Sequence, residues 1–527
     1  MTSRINTRSI YLGVFFMSLS TLMLEVLLTR IISVVFWYHY AFATISLALL
    51  GFSVAGLYVY LFPEKFPEEK VFERLVASSL LFFTSIVYNF AFFFYIGSSY
   101  KFASLHPKAL LLFLPVLAIL CTLIFTSFFF SGLCISLALL HLRAHVSRLY
   151  FYDLVGAGLG ALASVFALNL LGGVNALFFV CALALSVSLF FCGGLKPDFF
   201  GGRLESLKSF LMVLVLFFLV LTVANRELDF LSIRSHEENE FKFTKWNALS
   251  YVGVDDRSPD VWGLSQKYEG TIPDRKNIVI DNSANTEIVG FDGNLSKVQY
   301  LRYDVSNIGY YLKNNSKTLI IGPGGGRDVL SAVSFGNTDV TGVEINDIIV
   351  DDVMGERYKD YSGNLYQLPG IKVYKGDGRN FISQARDKYD FIQITLVDTW
   401  AATSAGALTL SESNLYTVEA FREYTKHLKD DGILSISRWI NNPPRETLRL
   451  LTLSRTVLEE EGASNPGEHL MLIATKEPTH TSGNLTTMLL KKNGFSREEI
   501  GKLTRVSDEL DFNVLYSPAQ IGDSIFS

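Results

Sequence analysis

Residues 318–328, TLIIGPGGGRD, decide the fold of the C-terminal half of this chain. Their first four residues are an apolar run typical of a short buried strand, and a helical pattern follows the glycine turn. A strand, a glycine turn and a helix N-terminus bring backbone amides close to a nucleotide, and a side chain in the turn would collide with that ligand. The glycines that we expect to bind the nucleotide are Gly322, Gly324, Gly325 and Gly326.

Acidic residues follow the next two predicted strands. The strand 338–343 (TDVTGV) ends at Glu344, where a carboxylate accepts hydrogen bonds from ribose hydroxyls. The strand 371–375 (IKVYK) leads into Asp377 and Gly378, and Asp377 is placed to accept a hydrogen bond from an adenine amino group. The glycine turn and the two acids together are more specific than either signal alone. The alternative is that these residues only form tight turns and helix caps.

Strands and helices continue to alternate beyond these motifs, with strands expected at 389–395 and 432–439 and a helix at about 416–428. This alternation predicts an α/β, doubly wound, mostly parallel sheet that binds its ligand at the C-terminal strand ends. NAD remains a rival ligand, because it shares the glycine and acid signals. The segment 376–379 (GDGR) favours an adenosylmethionine-type donor.

The N-terminal half has a different character. The chain of 527 residues is 49% hydrophobic, and its apolar residues concentrate before position 225. A bilayer-spanning helix needs about 20 mostly apolar residues. About seven such spans are expected, at 10–35, 41–62, 75–97, 109–140, 151–171, 174–193 and 208–224. The expected domains are a transmembrane helical domain at 1–225, a β-rich subdomain at 226–317, a Rossmann-like domain at 318–480 and a C-terminal extension at 481–527.

Charges between the spans give conflicting information about orientation. Lys and Arg accumulate on the cytoplasmic side of membrane proteins, and most of those in the loops fall on the side of the N-terminus. Seven spans would then put the globular half outside the cell. An adenosylmethionine donor is cytoplasmic, and we give this argument more weight. We therefore expect a multi-pass protein of the cell membrane with its transferase domain in the cytoplasm.

Composition also excludes some classes. A net charge of −5 and the lack of a basic stripe make nucleic acid an unlikely partner. All four cysteines, at positions 121, 134, 181 and 192, lie in the apolar half. The globular half therefore has no disulfide framework and no cysteine-based metal site, and we expect no metal.

At the motifs quoted above the chain resembles the spermidine synthase family, the polyamine aminopropyltransferases, and more broadly the class I methyltransferases. It is similar in particular to spermidine-synthase-like proteins fused to an apolar multi-span half. The resemblance covers roughly 240–440 and is carried by 322–328 (GPGGGRD), 343–346 (VEIN), 376–379 (GDGR) and 428–434 (LKDDGIL). It implies S-adenosylmethionine or decarboxylated S-adenosylmethionine as the donor.

The chain departs from this family at two carboxylates. The family's proton-abstracting aspartate is matched by Thr395, a poor general base at neutral pH, and the aspartate of its glycine turn by Gly325. The family's second acid is matched by Asp398, our candidate catalytic residue, for which a helix or turn cap is a nearly equal alternative. The residues expected to bind the acceptor are Tyr303, Thr395, Trp400 and Tyr416.

Three functions are consistent with these residues. Methyl transfer to a membrane-associated or small acceptor comes first, because the sulfonium is already activated and positioning can supply most of the catalysis. Aminopropyl transfer from the decarboxylated donor to a polyamine-like amine is the second. A transporter or sensor regulated by the nucleotide domain is the third, and it would use Glu25, Arg30 and Asp153 within the spans. The expected partners are the lipid bilayer and a small-molecule acceptor, and a homodimer is left open.

Overall fold

The computed structural model describes most of the chain. The described residues are 7–35, 39–99, 107–142, 145–195, 203–228, 241–281, 284–397, 414–440, 443–476 and 484–519.

The N-terminal half is a bundle of long apolar helices. Six described helices are long and apolar enough to cross a bilayer. They are α1 (Thr7–Val35), α2 (His39–Leu61), α3 (Val71–Ser99), α4 (Pro107–His141), α5 (Val146–Cys192) and α6 (Leu204–Leu228). Their inward faces share one apolar core, whereas many outward side chains, such as Leu216 and Val223, are exposed. Exposed apolar faces of this size suit a lipid environment.

Helix α5 folds back on itself. Its backbone leaves the helical conformation at Gly172, where φ is 78°. Before that break Gly156 and Gly160 pack on Phe15 and Leu19 of α1, so this half runs parallel to α1. After it, Gly193 lies against Ser9 and the ring of Phe190 is 5.2 Å from that of Phe16, so the second half runs antiparallel. The six described helices therefore supply seven long apolar segments, and their crossing of a membrane stays a prediction.

A small antiparallel sheet follows the bundle. Its strands are β1 (Phe243–Trp246), β2 (Tyr251–Asp255), β3 (Arg275–Ile280) and β4 (Ala284–Val289), paired in chain order. The four strands form two successive hairpins, β1–β2 and β3–β4. Two 3₁₀ segments, Leu295–Tyr303 and Val305–Tyr311, then lead to the main sheet.

The main domain is an eight-stranded sheet covered by helices. Its order is β12-β10-β11-β9-β8-β5-β6-β7, and the pairs from β9 to β7 are all parallel. The strands are β5 (Lys317–Ile321), β6 (Asp339–Glu344), β7 (Ile371–Lys375), β8 (Tyr389–Thr395), β9 (Leu428–Ile440), β10 (Leu470–Thr475), β11 (Asn484–Lys491) and β12 (Phe512–Tyr516). The helices are α7 (Arg327–Ser334), α8 (Gly378–Gln384), α9 (Val418–His427), α10 (Arg445–Glu460) and α11 (Arg497–Glu509), with a π-helix at Ile348–Arg357. The strand order reverses between β5 and β8, the point where such sheets bind ligands.

Two features of the main domain differ from expectation. Strand β11 pairs antiparallel with β9 and β10, so the sheet is mixed. Residues 484–516, which we expected in an extension, supply β11, α11 and β12 to this sheet. Almost all of β11 is buried, and a strand buried on both faces shows no alternation of apolar and polar residues.

The bundle contacts the small antiparallel sheet at the C-terminal end of α1. The Arg30 guanidinium donates to both carboxylate oxygens of Asp281 at 3.0–3.1 Å, and neither side chain is more than 3% exposed. Trp246 packs on the glycine break of α5, and the Asn169 side chain accepts a hydrogen bond from the Ala248 amide at 2.7 Å. Arg30 therefore forms an ion pair that joins the bundle to the small sheet.

Candidate active site

A cavity of about 380 Å³ opens at the C-terminal ends of β5, β6 and β8. Its walls come from the glycine turn after β5, the acid after β6, the turn after β7, the end of β8, and the rim residues Leu249 and Ser250 of the small sheet. Parallel strands put their carboxyl ends at one edge of the sheet, so residues far apart in sequence meet there. This cavity is the candidate active site.

Glu344 lies deep in the cavity beside the glycine turn. One carboxylate oxygen accepts the Gly324 amide at 3.0 Å and the other accepts the Asn346 amide at 3.0 Å. The side chain is 6% exposed, and burial raises the pKa of its carboxyl group. The glycine turn and the acid after β6 thus meet, as the sequence predicts.

Asp377 lines the same cavity from the turn after β7. It is half-buried, and one carboxylate oxygen accepts the Asn380 amide at 2.8 Å as the cap of α8. A Cβ on Gly378 would come within 2.4 Å of Ile321, so glycine lets α8 begin against β5. Asp377 therefore has a structural role as a cap and also a carboxylate at the cavity wall.

The four glycines of the turn divide into two pairs. Gly322 and Gly324 line the cavity. Gly324 has a φ of 53°, a backbone conformation that residues with a side chain rarely adopt. Gly325 and Gly326 lie outside the cavity lining. A Cβ on Gly325 would be 2.1 Å from the Glu287 carbonyl oxygen, and one on Gly326 would meet Leu365. These two glycines let the turn pack on β4 and the core, a role different from the expected ligand contact.

The residues predicted to bind the acceptor are placed unevenly. Thr395 is 8% exposed and lines the cavity. Tyr416 is buried behind the wall, with its hydroxyl donating to the Val397 carbonyl oxygen at 3.3 Å. Tyr303 lies outside the cavity lining and packs against Tyr268 at 5.1 Å between ring centroids.

The segment that carries the remaining candidates is not described. Asp398 and Trp400 lie outside the described residues, as does Thr399. Their roles as base and acceptor wall therefore stay predictions. The last described residue before them, Val397, lines the cavity.

The glycine turn also carries two charged residues into the site. Arg327 and Asp328 open α7, are 4% and 6% exposed, and line the cavity. The Arg327 guanidinium contacts the carboxylates of Asp304 and Glu287 and lies over the Trp262 ring. Neither residue was predicted to act in the site, although both stand within the glycine motif. Their charge next to an expected ligand was the signal that could have identified them.

Comparison with known proteins connects this site to a family. Residues 304–497 match the Spermine/spermidine synthase domain, a range that begins and ends later than the 240–440 expected. A polyamine aminopropyltransferase of Korarchaeum cryptofilum (strain OPF8) is 27% identical over 123 residues, which are 23% of this chain and 35% of that protein. Polyamine aminopropyltransferase 2 of Aquifex aeolicus (strain VF5) is 25% identical over 231 residues, 40% of this chain and 43% of that protein.

Solved structures of similar proteins include two spermidine synthases. The enzyme of Thermotoga maritima is 16% identical, with a TM-score of 0.33 over 50% of this chain and 78% of its own. A spermidine synthase in complex with the transition state analogue AdoDATO is 14% identical, with the same score and coverage.

The fold and the sequence matches define the class: the C-terminal half is a spermidine synthase-like domain with a Rossmann-like methyltransferase fold. The matched regions span less than half the length of either relative. This chain joins its spermidine synthase-like domain to a bundle of six long apolar helices.

Proposed function

We propose that this protein is a membrane-anchored transferase that moves an aminopropyl group from decarboxylated S-adenosylmethionine to an amine. The observation that carries the proposal is the single cavity where Gly322, Gly324, Glu344 and Asp377 meet. Backbone amides with a ribose acid and an adenine acid form a suitable cradle for an adenosine. Glu344 would accept the ribose hydroxyls, and Asp377 the adenine amino group.

The charge of the cavity suits cationic reactants. Its described lining has three carboxylates, Asp328, Glu344 and Asp377, and one guanidinium, Arg327. That guanidinium is already paired with two further carboxylates. The donor is a sulfonium cation and an amine acceptor is largely protonated in water, so this negative lining attracts both.

Aminopropyl transfer has better support than methyl transfer, which the sequence alone put first. That order depended on two missing family carboxylates, at Thr395 and Gly325. The domain match and both relatives belong to the aminopropyltransferases, and no finding favours methyl transfer specifically. The transporter or sensor hypothesis loses one of its residues, because Arg30 is paired with Asp281.

The chemistry of the proposed reaction is a displacement at carbon. The amine nitrogen attacks the methylene next to the sulfonium, the C–N bond forms, the C–S bond breaks, and its electron pair leaves on sulfur as methylthioadenosine. The nitrogen then releases one proton. Holding the two reactants in line and excluding water supplies much of the rate.

We further propose that the helix bundle lies in a bilayer, because its outward surface is apolar over many residues. A cytoplasmic transferase domain would meet its donor where the donor is made. The basic residues between the crossing segments predict the reverse orientation. A membrane-associated amine remains a candidate acceptor beside a soluble polyamine.

Product analysis tests the proposed reaction. Purified full-length protein in detergent is incubated with either donor and with putrescine, spermidine or a long-chain amine, and by-products are identified by mass spectrometry. We expect methylthioadenosine and an amine heavier by one aminopropyl group. S-adenosylhomocysteine would indicate methyl transfer instead, and donor binding without either by-product would favour the sensor hypothesis.

A further inference from the structure

Asp328 is a buried carboxylate in the cavity without a role in donor recognition. It stands in the first turn of α7, directly after the glycine turn. It is 6% exposed and lines the cavity together with Thr395 at the end of β8. Burying an ionisable group costs folding free energy unless it is paired or hydrogen-bonded. A buried carboxylate at a cavity wall is therefore a candidate functional group.

A chain of hydrogen bonds holds Thr395 in the cavity lining that it shares with this carboxylate. The Tyr310 hydroxyl donates to the Gln393 side-chain oxygen at 2.5 Å, and the Gln393 amide nitrogen donates to the Thr395 hydroxyl at 3.1 Å. Because Thr395 accepts from Gln393, its own proton is free for a second acceptor, and a hydrogen bond from Thr395 lowers the pKa of Asp328. Thr395, at the position of the family's base, thus shares a cavity wall with the Asp328 carboxylate from the first turn of α7.

Charged groups on several elements surround Asp328. Arg327 on its own helix lowers its pKa, as does the Thr395 hydrogen bond, whereas Asp304 and Glu287 raise it. The largest effect is burial, and together these effects raise the pKa of Asp328 to about 6. Burial and the charge of Asp328 both raise the pKa of the Tyr310 and Tyr366 hydroxyls, which therefore stay protonated. A carboxylate with this pKa is charged at neutral pH and is a stronger base than an ordinary aspartate.

We propose that Asp328 is the general base of the transfer reaction, in place of the aspartate that Thr395 replaces. The inference depends on the proposed function. The Asp328 carboxylate takes the proton that the amine nitrogen loses as its bond to the donor methylene forms, while the C–S electron pair leaves on sulfur. Thr395 is a positioning residue, because it acts through the Asp328 carboxylate.

The first test compares Asp328→Asn with Asp360→Asn, a control at an exposed aspartate of the same domain. Asparagine keeps the shape and can still accept from Thr395 but cannot take a proton. We expect kcat to fall by about 10²–10⁴-fold. Methylthioadenosine binding should stay unchanged, which would also show that the variant is folded. The control should keep wild-type kcat.

The pH profile supplies a second readout. For the wild type, kcat/KM should fall below about pH 6, as Asp328 takes up a proton. Thr395→Val removes a hydrogen bond that lowers the pKa of Asp328, so the acid limb should move to higher pH. A purely structural role would leave this limb in place. Thr395→Val also provides the test if Asp328→Asn does not fold.

Rescue and competing outcomes complete the test. Restoring the family's aspartate in Asp328→Asn/Thr395→Asp should recover part of the lost kcat. An unchanged kcat in Asp328→Asn, with loss in Asp398→Asn, would overturn the assignment to Asp328 but leave aminopropyl transfer intact. Wild-type protein that binds methylthioadenosine but transfers no group to any amine would contradict the proposed function and this assignment together.

Discussion

Gly325 shows how one residue separates this cavity from that of the family it resembles. The resemblance puts an aspartate for the donor's amine at this position. Here the backbone of β4 passes so close that a Cβ would lie 2.1 Å from the Glu287 carbonyl oxygen, and Ile288 forms a bridge with Gly326. In this packing, position 325 therefore has no room for the aspartate that the resemblance implies.

Restoring the family's aspartate at this position should therefore damage the protein. Gly325→Asp forces the glycine turn away from β4, and overpacking of this kind costs about 1–3 kcal/mol or more. We expect a lower thermal midpoint in detergent and weaker donor binding. Gly501→Asp is the matched control, because a Cβ there meets nothing within 4 Å. Equal midpoints for the two variants would contradict the close packing of Gly325.

At the residue scale the sequence predicts part of the site. Glu344 and Asp377 were predictable because each directly follows a strand whose position the apolar pattern marks. The different surroundings of Gly324 and Gly325 were not, because they depend on the approach of β4 to the glycine turn, a contact between residues distant in sequence. Asp328 was missed because a charge in the first helical turn is ordinary as a favourable dipole contact.

At the element scale, α1 supports a wall of the cavity. The Asp281 carboxylate that binds Arg30 also accepts the Tyr251 amide at 2.7 Å. The adjacent Ser250 lines the cavity and its hydroxyl accepts from the Asn346 side chain at 2.7 Å. A buried ion pair between a long helix and a β-turn thus fixes the rim that faces the donor acid.

Breaking that ion pair should unfold or loosen the junction. Arg30→Met leaves the Asp281 charge buried without its guanidinium, a change that costs about 3–5 kcal/mol. Arg30→Met/Asp281→Asn should recover much of the loss, because no uncompensated charge remains. As a comparison, Lys245→Met removes an exposed pair with Asp352 and should cost less than about 1 kcal/mol. Thermal midpoints of the four proteins, wild type included, provide the measurement; equal losses for Arg30→Met and Lys245→Met would contradict this account.

Element boundaries were predictable where chemistry marks both ends. Strands β7 and β8 begin and end at the residues expected, because charged or glycine-rich turns bound their apolar runs. Strand β9 begins at Leu428, earlier than the expected 432, through polar residues that no apolar pattern includes. Strands β11 and β12 acquire their place only by pairing with β9 and β10.

At the scale of the whole molecule, the break at Gly172 sets the topology. The seven segments that result put the start of α1 and the C-terminal half of the chain at opposite ends of the bundle. Arg8, Lys65 and Arg148, near helix ends, belong to the end away from the C-terminal half, whereas Lys108 belongs to the other end. Seven membrane crossings stay a prediction, and the contacts by which the bundle holds the C-terminal half were not predictable from the sequence.

Labelling from one side of the membrane tests this topology. In a cysteine-free background, Glu64→Cys and Glu269→Cys each present an exposed thiol, one at either end of the molecule. We expect a membrane-impermeant maleimide to label one in right-side-out vesicles and the other in inverted vesicles. Labelling of both from the same side would contradict seven crossings. Labelling of Glu269→Cys from the cytoplasmic side would support the donor argument over the loop charges.

The most direct measurement is calorimetric binding of methylthioadenosine to the full-length protein. We expect one nucleoside to bind per chain. Glu344→Gln should bind it about tenfold or more weakly, because it loses a charged acceptor for the ribose hydroxyls. The exposed control Glu356→Gln should bind it as the wild type does. No binding by the wild type, or equal binding by Glu344→Gln, would contradict the claim that the cavity holds an adenosine.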